Sequence, residues 1–505
     1  MHLHATQYLE DSCARVPDKT AWADKNTAVD YRRAKQLTDG IASFVLSVTG
    51  GAGKKPVFVC IDRSVESVAL LLGVARSGNF FVPIDAAQPL SRLTQMRQVV
   101  SPVLLLYTSG CKAPPFEDLP HASYGEAAAF PADERLLLEA DRVALDSDPI
   151  YCICTSGSTG TPKAVVKSHR CVMAMTERFS EEFHLDGSLI AGNQAPFDFD
   201  VSYKDIFLTL RNGGTLQILE KMLFSFPLKL IERLNERNVN TLLWSVSAIK
   251  IVSALKTFEK IKPLTIERVM FSGEIMPPKV LRDWQEQLPG AEFVNLYGPT
   301  EVAYNCAYHR VDRSYDDDER VPIGRPFPNN HIFLLQDGKE ITEPGVTGEL
   351  CVTGECLAMG YYNDPEQTEM VFCQNPLQNR YPQRVYKTGD LASFDEAGRL
   401  IFHGRADFQV KHMGRRVELA EVEAAALAVS GLSFVCCLFM EETDTLCLVY
   451  EAPEPFDTEL TKALRERLPA YMVPGKYICL PKMPQNRTGK IDRAGLKRMY
   501  LDAEA

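Results

Sequence analysis

The apolar run Ile150-Tyr151-Cys152-Ile153-Cys154 leads directly into Thr155-Ser156-Gly157-Ser158-Thr159-Gly160-Thr161-Pro162-Lys163. The first segment has the length and composition of a buried strand. The second is built from Gly, Ser and Thr and closes on Pro-Lys. Glycine lets the backbone turn tightly and brings N–H groups toward phosphate oxygens. The hydroxyls add donors, and Lys163 supplies positive charge to a polyphosphate. A flexible Ser/Gly linker is the alternative, but linkers do not usually follow a buried strand and end in Pro-Lys. A Walker A loop is excluded, because that motif needs Gly-Lys-Ser/Thr and here Pro162 precedes the lysine and Ala164 follows it. The anion cradle is favoured over the linker, and the alternation of strand-like and helix-like stretches along most of the chain favours an α/β protein.

The same pattern continues outward. Residues 56–61 and 79–84 read as short buried strands, with helical apolar spacing over Ser67–Arg76 between them. Similar strand–helix units are expected at 150–220, 240–310 and 330–410. The chain has 505 residues, 45% of them hydrophobic, enough for a large domain and a small one. The boundary falls near Gly404–Asp407, giving residues 1–406 and 407–505. The last hundred or so residues alternate on their own: strand-like at 406–411, 434–439 and 446–450, helix-like at 418–429 and 458–467, the pattern of a small α+β domain.

The formal charge of −11 argues against a general nucleic-acid binder. The acidic run Asp316–Glu319 reads as an exposed loop. No apolar segment is long enough to span a bilayer, and the N-terminus lacks the basic-then-apolar order of a signal peptide. The 14 cysteines are irregularly spaced without a CxxC, so free buried thiols are expected and not a disulfide framework or zinc site. A cytoplasmic protein is expected.

Seven segments, in order, resemble motifs of the acyl-adenylate-forming superfamily, which holds acyl-CoA synthetases, luciferases and nonribosomal peptide synthetase adenylation domains. They are the Thr155–Lys163 loop, Phe80–Asp85, Asn295–Glu301 (NLYGPTE), Gly348–Gly354 (GELCVTG), Tyr386–Leu391 (YKTGDL), Gly404–Lys411 (GRADFQVK) and Asn486–Lys490 (NRTGK). One such motif is weak; seven over more than 400 residues are specific. The resemblance implies a large N-terminal domain of packed mixed sheets and helices, and a small mobile C-terminal domain. It also implies an enzyme that uses ATP and Mg²⁺.

Roles follow by the same resemblance. Thr155, Ser156, Gly157, Ser158, Thr159, Gly160 and Lys163 hold phosphates. Tyr297 offers an aromatic face for adenine, with Asn295 and Gly298 beside it. Thr300 contacts the α-phosphate and Glu301 ligates the metal. Asp390 and Arg405 reach the ribose, and Asp407 is the hinge about which the small domain turns. Lys490 bridges the attacking carboxylate and the phosphoryl oxygens, offsetting charge that builds at the α-phosphorus. Lys411, beyond the hinge, lies in the stretch that swings in for thioester formation.

Phe199-Asp200-Val201-Ser202 resembles the segment whose aspartate binds a substrate α-ammonium group, which favours amino acids over acids lacking the amine. A helix N-cap is the bland reading of Asp200. Lys204 lies four residues on and either contacts substrate or pairs with Asp200 or Asp205. The other aligned pocket positions are Trp244, Met270, Ser272, Leu296, Tyr304 and Asn305. The function implied is activation of an amino acid as aminoacyl-AMP, then transfer to the phosphopantetheine thiol of a separate carrier protein, by a monomer. The alternatives are a D-alanine-specific carrier-protein ligase, an acyl-CoA ligase, and a non-catalytic nucleotide-binding protein.

Overall fold

The computed structural model describes residues 2–51, 53–111, 116, 118–157, 162–406, 409–429, 432, 434–441, 443–484 and 491–500. The expected first unit is present: strands Pro56–Cys60 and Phe80–Ile84 pair in parallel, with the helix Val65–Arg76 between them in sequence. That helix is buried at every position but Glu66, which is why Val-Ala-Leu-Leu-Leu-Gly-Val carries no polar stripe. Ser64 caps it by accepting from the Ser67 amide.

The chain divides into two compact units. The first comprises residues 1–86, 100–153 and 164–406; the second comprises 87–99, 154–163 and 407–505. Three sheets build the first unit among the described residues. A seven-stranded sheet carries Pro149–Thr155 and Lys163–Ser168 next to each other. A nine-stranded sheet has Thr241–Ser245, Arg268–Ser272 and Glu292–Tyr297 in parallel at its centre. Buried runs such as Val269-Met270-Phe271 fit parallel strands covered on both faces.

The third sheet departs from the expected strand–helix–strand pattern over 330–410. Asn330–Gln336, Gly348–Gly354 and Arg384–Phe394 form an antiparallel, six-stranded sheet. Asp337 (φ 50°) and Gly338 (φ 76°) close a two-residue hairpin between Gln336 and Lys339. Asp-Gly is the dipeptide that favours such a turn, because both central residues need positive φ. With tight hairpins linking strands, no crossover helix is required.

In the second unit the helices Leu419–Leu427 and Asp457–Arg465 and strands Val435–Met440 and Thr445–Glu451 fall where alternation placed them. The strand-like 406–411 is the strand Gln409–His412, hairpinned to Arg415–Glu418 through Met413 (φ 51°) and Gly414 (φ 73°). The strand Lys476–Leu480 and helix Arg493–Tyr500 had not been anticipated. The acidic run is an exposed loop in which Glu319 pairs with Arg313. All 14 cysteines are free, and most are buried. Among the described residues, no helix is long and apolar enough to cross a membrane.

Candidate active site

Tyr297 ends a parallel strand, whereas Asp390 and Arg405 face each other in register on the antiparallel pair Arg384–Phe394 and Leu400–Arg405. Tyr297, the last residue of Glu292–Tyr297, donates its hydroxyl to Asp390 Oδ2. Arg405 Nη1 donates to Asp390 Oδ1 at 2.7 Å and to the Thr388 carbonyl at 3.0 Å, and the Thr388 hydroxyl accepts from the Asp390 amide at 2.9 Å. Three of the expected nucleotide residues, Tyr297, Asp390 and Arg405, therefore form one bonded cluster. Asp390 is almost fully buried, so its charge is compensated by the guanidinium and not by water.

The Asn295 side chain is engaged within the first unit. Its amide donates to the Pro322 carbonyl at 2.8 Å from a buried position, tying its strand to the following loop. Gly298 is required by space: a Cβ there would stand 2.6 Å from the Asn305 Cα and 2.7 Å from the Tyr304 carbonyl oxygen.

Thr300 and Glu301 are held from below by residues that sequence reasoning missed. The Lys167 ammonium, fully buried on Lys163–Ser168, donates to the Thr300 carbonyl. Glu301 is fully buried; its Oε1 accepts from the Tyr361 hydroxyl at 2.8 Å and its carbonyl from the Ala358 amide at 2.9 Å. Burial pulls the Lys167 ammonium below the ordinary lysine range, against the opposing fields of Asp200 and Glu301. One signal for Lys167 was legible: a lone charge after the apolar run Ala164-Val165-Val166. Tyr361 carried none.

Asp200 opens the helix Val201–Asn212 in helical conformation (φ −60°, ψ −29°), and its side chain makes no capping hydrogen bond. Helix capping therefore does not account for its carboxylate. Among the described residues no lysine or arginine nitrogen lies within 4.0 Å of it. Burial pushes it up to about 6, against the lowering field of Lys167, with Glu301 pushing it further up.

Lys204 does not pair with Asp200 or Asp205, although both fields act on it. Its ammonium donates to Asn305 Oδ1 at 2.8 Å and lies 5.6 Å from the Phe179 ring centroid. Asp205 turns elsewhere and accepts from Asn193 Nδ2 at 2.8 Å. Tyr304 is held in positive φ (57°), a strained setting for a bulky residue, with its hydroxyl 3.2 Å from Thr176 Oγ1. Asp200, Lys204, Tyr304 and Asn305 are thus neighbours through one helix and one loop.

Met270, Ser272 and Leu296 share one face of the nine-stranded sheet: Met270 is in register with Val294, and Ser272 with Leu296. Trp244 does not join them. It pairs in register with Phe271, one position out of phase, so its side chain leaves the opposite face. There it packs edge-on to Phe224 and Trp284 and donates its indole N–H to the Gly192 carbonyl at 2.8 Å. Trp244 is a core residue of that layer. The alternation of strand side chains separates it from Met270, Ser272 and Leu296.

In the second unit, the described part of the glycine-rich loop is already engaged. The Gly157 amide donates to Glu421 Oε2 at 3.1 Å, and the Ser156 hydroxyl to the Arg416 carbonyl at 3.0 Å. Arg92 pairs with Glu421 and also donates to the Thr155 carbonyl at 3.3 Å. Lys163 Nζ lies 4.0 Å from Glu418 Oε1. Lys411 sits half-buried on Gln409–His412, in register with Arg416. Ser158, Thr159, Gly160, Asp407 and Lys490 lie outside the described residues.

The model of the AMP-binding enzyme family matches residues 9–362. The chain belongs to that family. It is an adenylate-forming ligase, and its relatives agree along its length. It is 28% identical to a D-alanine--D-alanyl carrier protein ligase of Bacillus cytotoxicus, covering 97% of this chain and 98% of that one. It is 31% identical to part of a linear gramicidin synthase from Brevibacillus parabrevis, covering 97% of this chain and 10% of that one. The solved structure of holo-PA1221, an NRPS protein containing adenylation and PCP domains, is 26% identical with a TM-score of 0.82, covering 98% of this chain and 84% of that one.

Proposed function

We propose that this ligase activates an amino acid with MgATP and passes it to the phosphopantetheine thiol of a separate carrier protein. One observation carries the reading: Asp200 is a buried carboxylate with no cation at pairing distance among the described residues. Burying an unpaired charge is unfavourable, and a substrate ammonium group supplies the missing partner. An acid without an α-amine leaves that carboxylate uncompensated, which disfavours the acyl-CoA ligase alternative.

In the first half-reaction a substrate carboxylate oxygen bonds to the α-phosphorus of ATP and the bond to pyrophosphate breaks. Tyr297, Asp390 and Arg405 hold the nucleoside, and Lys163 with Ser156–Gly160 holds the phosphates. Lys490 neutralises the two anions that meet. The residues present suit Mg²⁺: Glu301 is a carboxylate oriented by Tyr361, beside Thr300, whose carbonyl Lys167 fixes. When bound, that ion offsets phosphate charge. In the second half-reaction the thiol sulfur bonds to the acyl carbon, its proton is released, and AMP leaves. Rotation of residues 407–505 about Asp407 withdraws Lys490 from residues 1–406 and brings in the Lys411 strand. The relatives' carrier-protein and PCP names support a carrier thiol as acceptor. We further place the enzyme in the cytoplasm as a monomer.

ATP–pyrophosphate exchange across L- and D-amino acids, D-alanine included, tests the first step. Mass shift of an added holo-carrier protein tests the second. Exchange with an amino acid but not with its des-amino acid is the expected result. Failure of every amino acid refutes the reading.

A further inference from the structure

Lys204 is a buried charge of the first unit that the chemistry above leaves unused. Its side chain is fully enclosed on the helix that begins at Asp200. An ammonium has three N–H donors. One goes to a neutral acceptor, Asn305 Oδ1 at 2.8 Å, and the Phe179 ring lies 5.6 Å away. Among the described residues no carboxylate stands within 4.0 Å of it. Asp205, next in sequence, spends one oxygen on Asn193, its other oxygen has no hydrogen-bond partner among the described residues, and burial pushes its carboxyl up, which weakens it as a counter-charge. A buried ammonium with one neutral hydrogen bond is less stable than a paired one. A folded chain tolerates that readily where a ligand completes the pair.

The position of the charge says what the ligand carries. Asp200 and Lys204 are four residues apart on continuous helical backbone, so their side chains leave the same face. Their Cα atoms are separated by a rise of about 6 Å along the axis. The carboxylate is at one end and the ammonium at the other. An amino acid of four to six carbons with a terminal carboxylate has the reverse polarity over a comparable span.

We propose that Lys204 makes this enzyme select an amino acid whose side chain ends in a carboxylate, the side-chain oxygens accepting the N–H donors that Asn305 leaves over. The inference rests on the reading of Asp200 as the ammonium partner. Asn305 then serves to aim the Lys204 ammonium, and Phe179 excludes water from it.

The test is pyrophosphate exchange by the full-length protein with MgATP over three matched sets, each in both chiralities. These are aspartate, glutamate and 2-aminoadipate; asparagine and glutamine; and alanine, norvaline and leucine. The expected result is one carboxylate member exceeding its amide and apolar counterparts by at least about tenfold in kcat/KM, because unpaired buried polar groups penalise analogues that cannot bond them. Lys204→Met is expected to lower that value by about a hundredfold or more and to reverse the order of carboxylate and apolar members. Lys204→Arg keeps the charge and retains the carboxylate preference. Preference of the wild-type enzyme for an apolar or amide side chain overturns the inference, as does an unchanged order in Lys204→Met. If Lys204→Met fails to fold, the wild-type order alone decides. Absence of exchange with every amino acid removes the proposed function and this inference with it. Exchange restricted to apolar amino acids removes only the inference.

Discussion

Replacing Asp200 by Asn should stabilise the fold at alkaline pH while abolishing amino-acid activation. The carboxyl sits at about 6 in the folded protein against 3.8 for an ordinary aspartate, chiefly because it is buried. Its rise from 3.8 to about 6 corresponds to about 3 kcal/mol against the folded state. Below 3.8 both folded and unfolded chains hold the proton, and the site costs nothing. Between 3.8 and about 6 the unfolded chain releases the proton while the folded chain keeps it, so stability falls as pH rises. Above about 6 the full penalty is present. Asparagine mimics the protonated group and removes the penalty. The difference in unfolding free energy between Asp200→Asn and wild type should therefore grow from about 1.5 kcal/mol at pH 5 to about 3 kcal/mol at pH 8. Urea unfolding followed by tryptophan fluorescence at the two pH values measures it, since Trp22, Trp244 and Trp284 all lie in the first unit. Pyrophosphate exchange on the same samples measures activity. The wild-type kcat/KM for the amino acid should fall on an acid limb centred near pH 6, as protonation removes the ammonium partner. A variant less stable than wild type at pH 8, or a difference that does not change with pH, refutes the reasoning.

Other consequences are more direct. Tyr361→Phe removes the hydroxyl that orients Glu301, and the Mg²⁺ concentration for half-maximal exchange should rise about tenfold, as for other outer residues that support a metal ligand. Trp244→Phe leaves the Gly192 carbonyl without its indole partner and should cost about 1–3 kcal/mol in unfolding experiments. The ranking of amino-acid substrates should not move with it, and a reordered ranking would return Trp244 to the pocket. Lys490→Ala should slow adenylate formation by about a hundredfold or more, while transfer from preformed aminoacyl-AMP to the carrier thiol is largely retained. Equal losses in the two half-reactions, measured separately, count against that division of labour.

The chain order of the nucleotide motifs was legible in the sequence, because each motif is local. A strand that runs into Gly-Ser-Thr-Gly, or a Thr-Gly-Asp turn, marks the family within a few residues. Alternation also located most elements of the C-terminal unit. The 330–410 region misled, although Asp337-Gly338 announced a hairpin; apolar runs of strand length look alike whether a helix or a turn connects them.

What the sequence by itself determined was the inventory: an adenylate-forming ligase with an aspartate and, four residues beyond it, a lysine. Only the tertiary structure decided which of these groups remain unpaired. It gave Asn295 to the Pro322 carbonyl, turned Trp244 into the layer of Phe224 and Trp284, and set Lys167 beneath the Thr300 carbonyl. It left Asp200 and Lys204 buried without countercharge at pairing distance among the described residues. The physical reason is that burial and pairing depend on what distant strands bring alongside. Asn305 reaches Lys204 across 101 positions of sequence, and Tyr361 reaches Glu301 across 60. Sequence spacing sets which side chains leave one face of a helix or strand; the packing of other elements against that face sets their charge and their use.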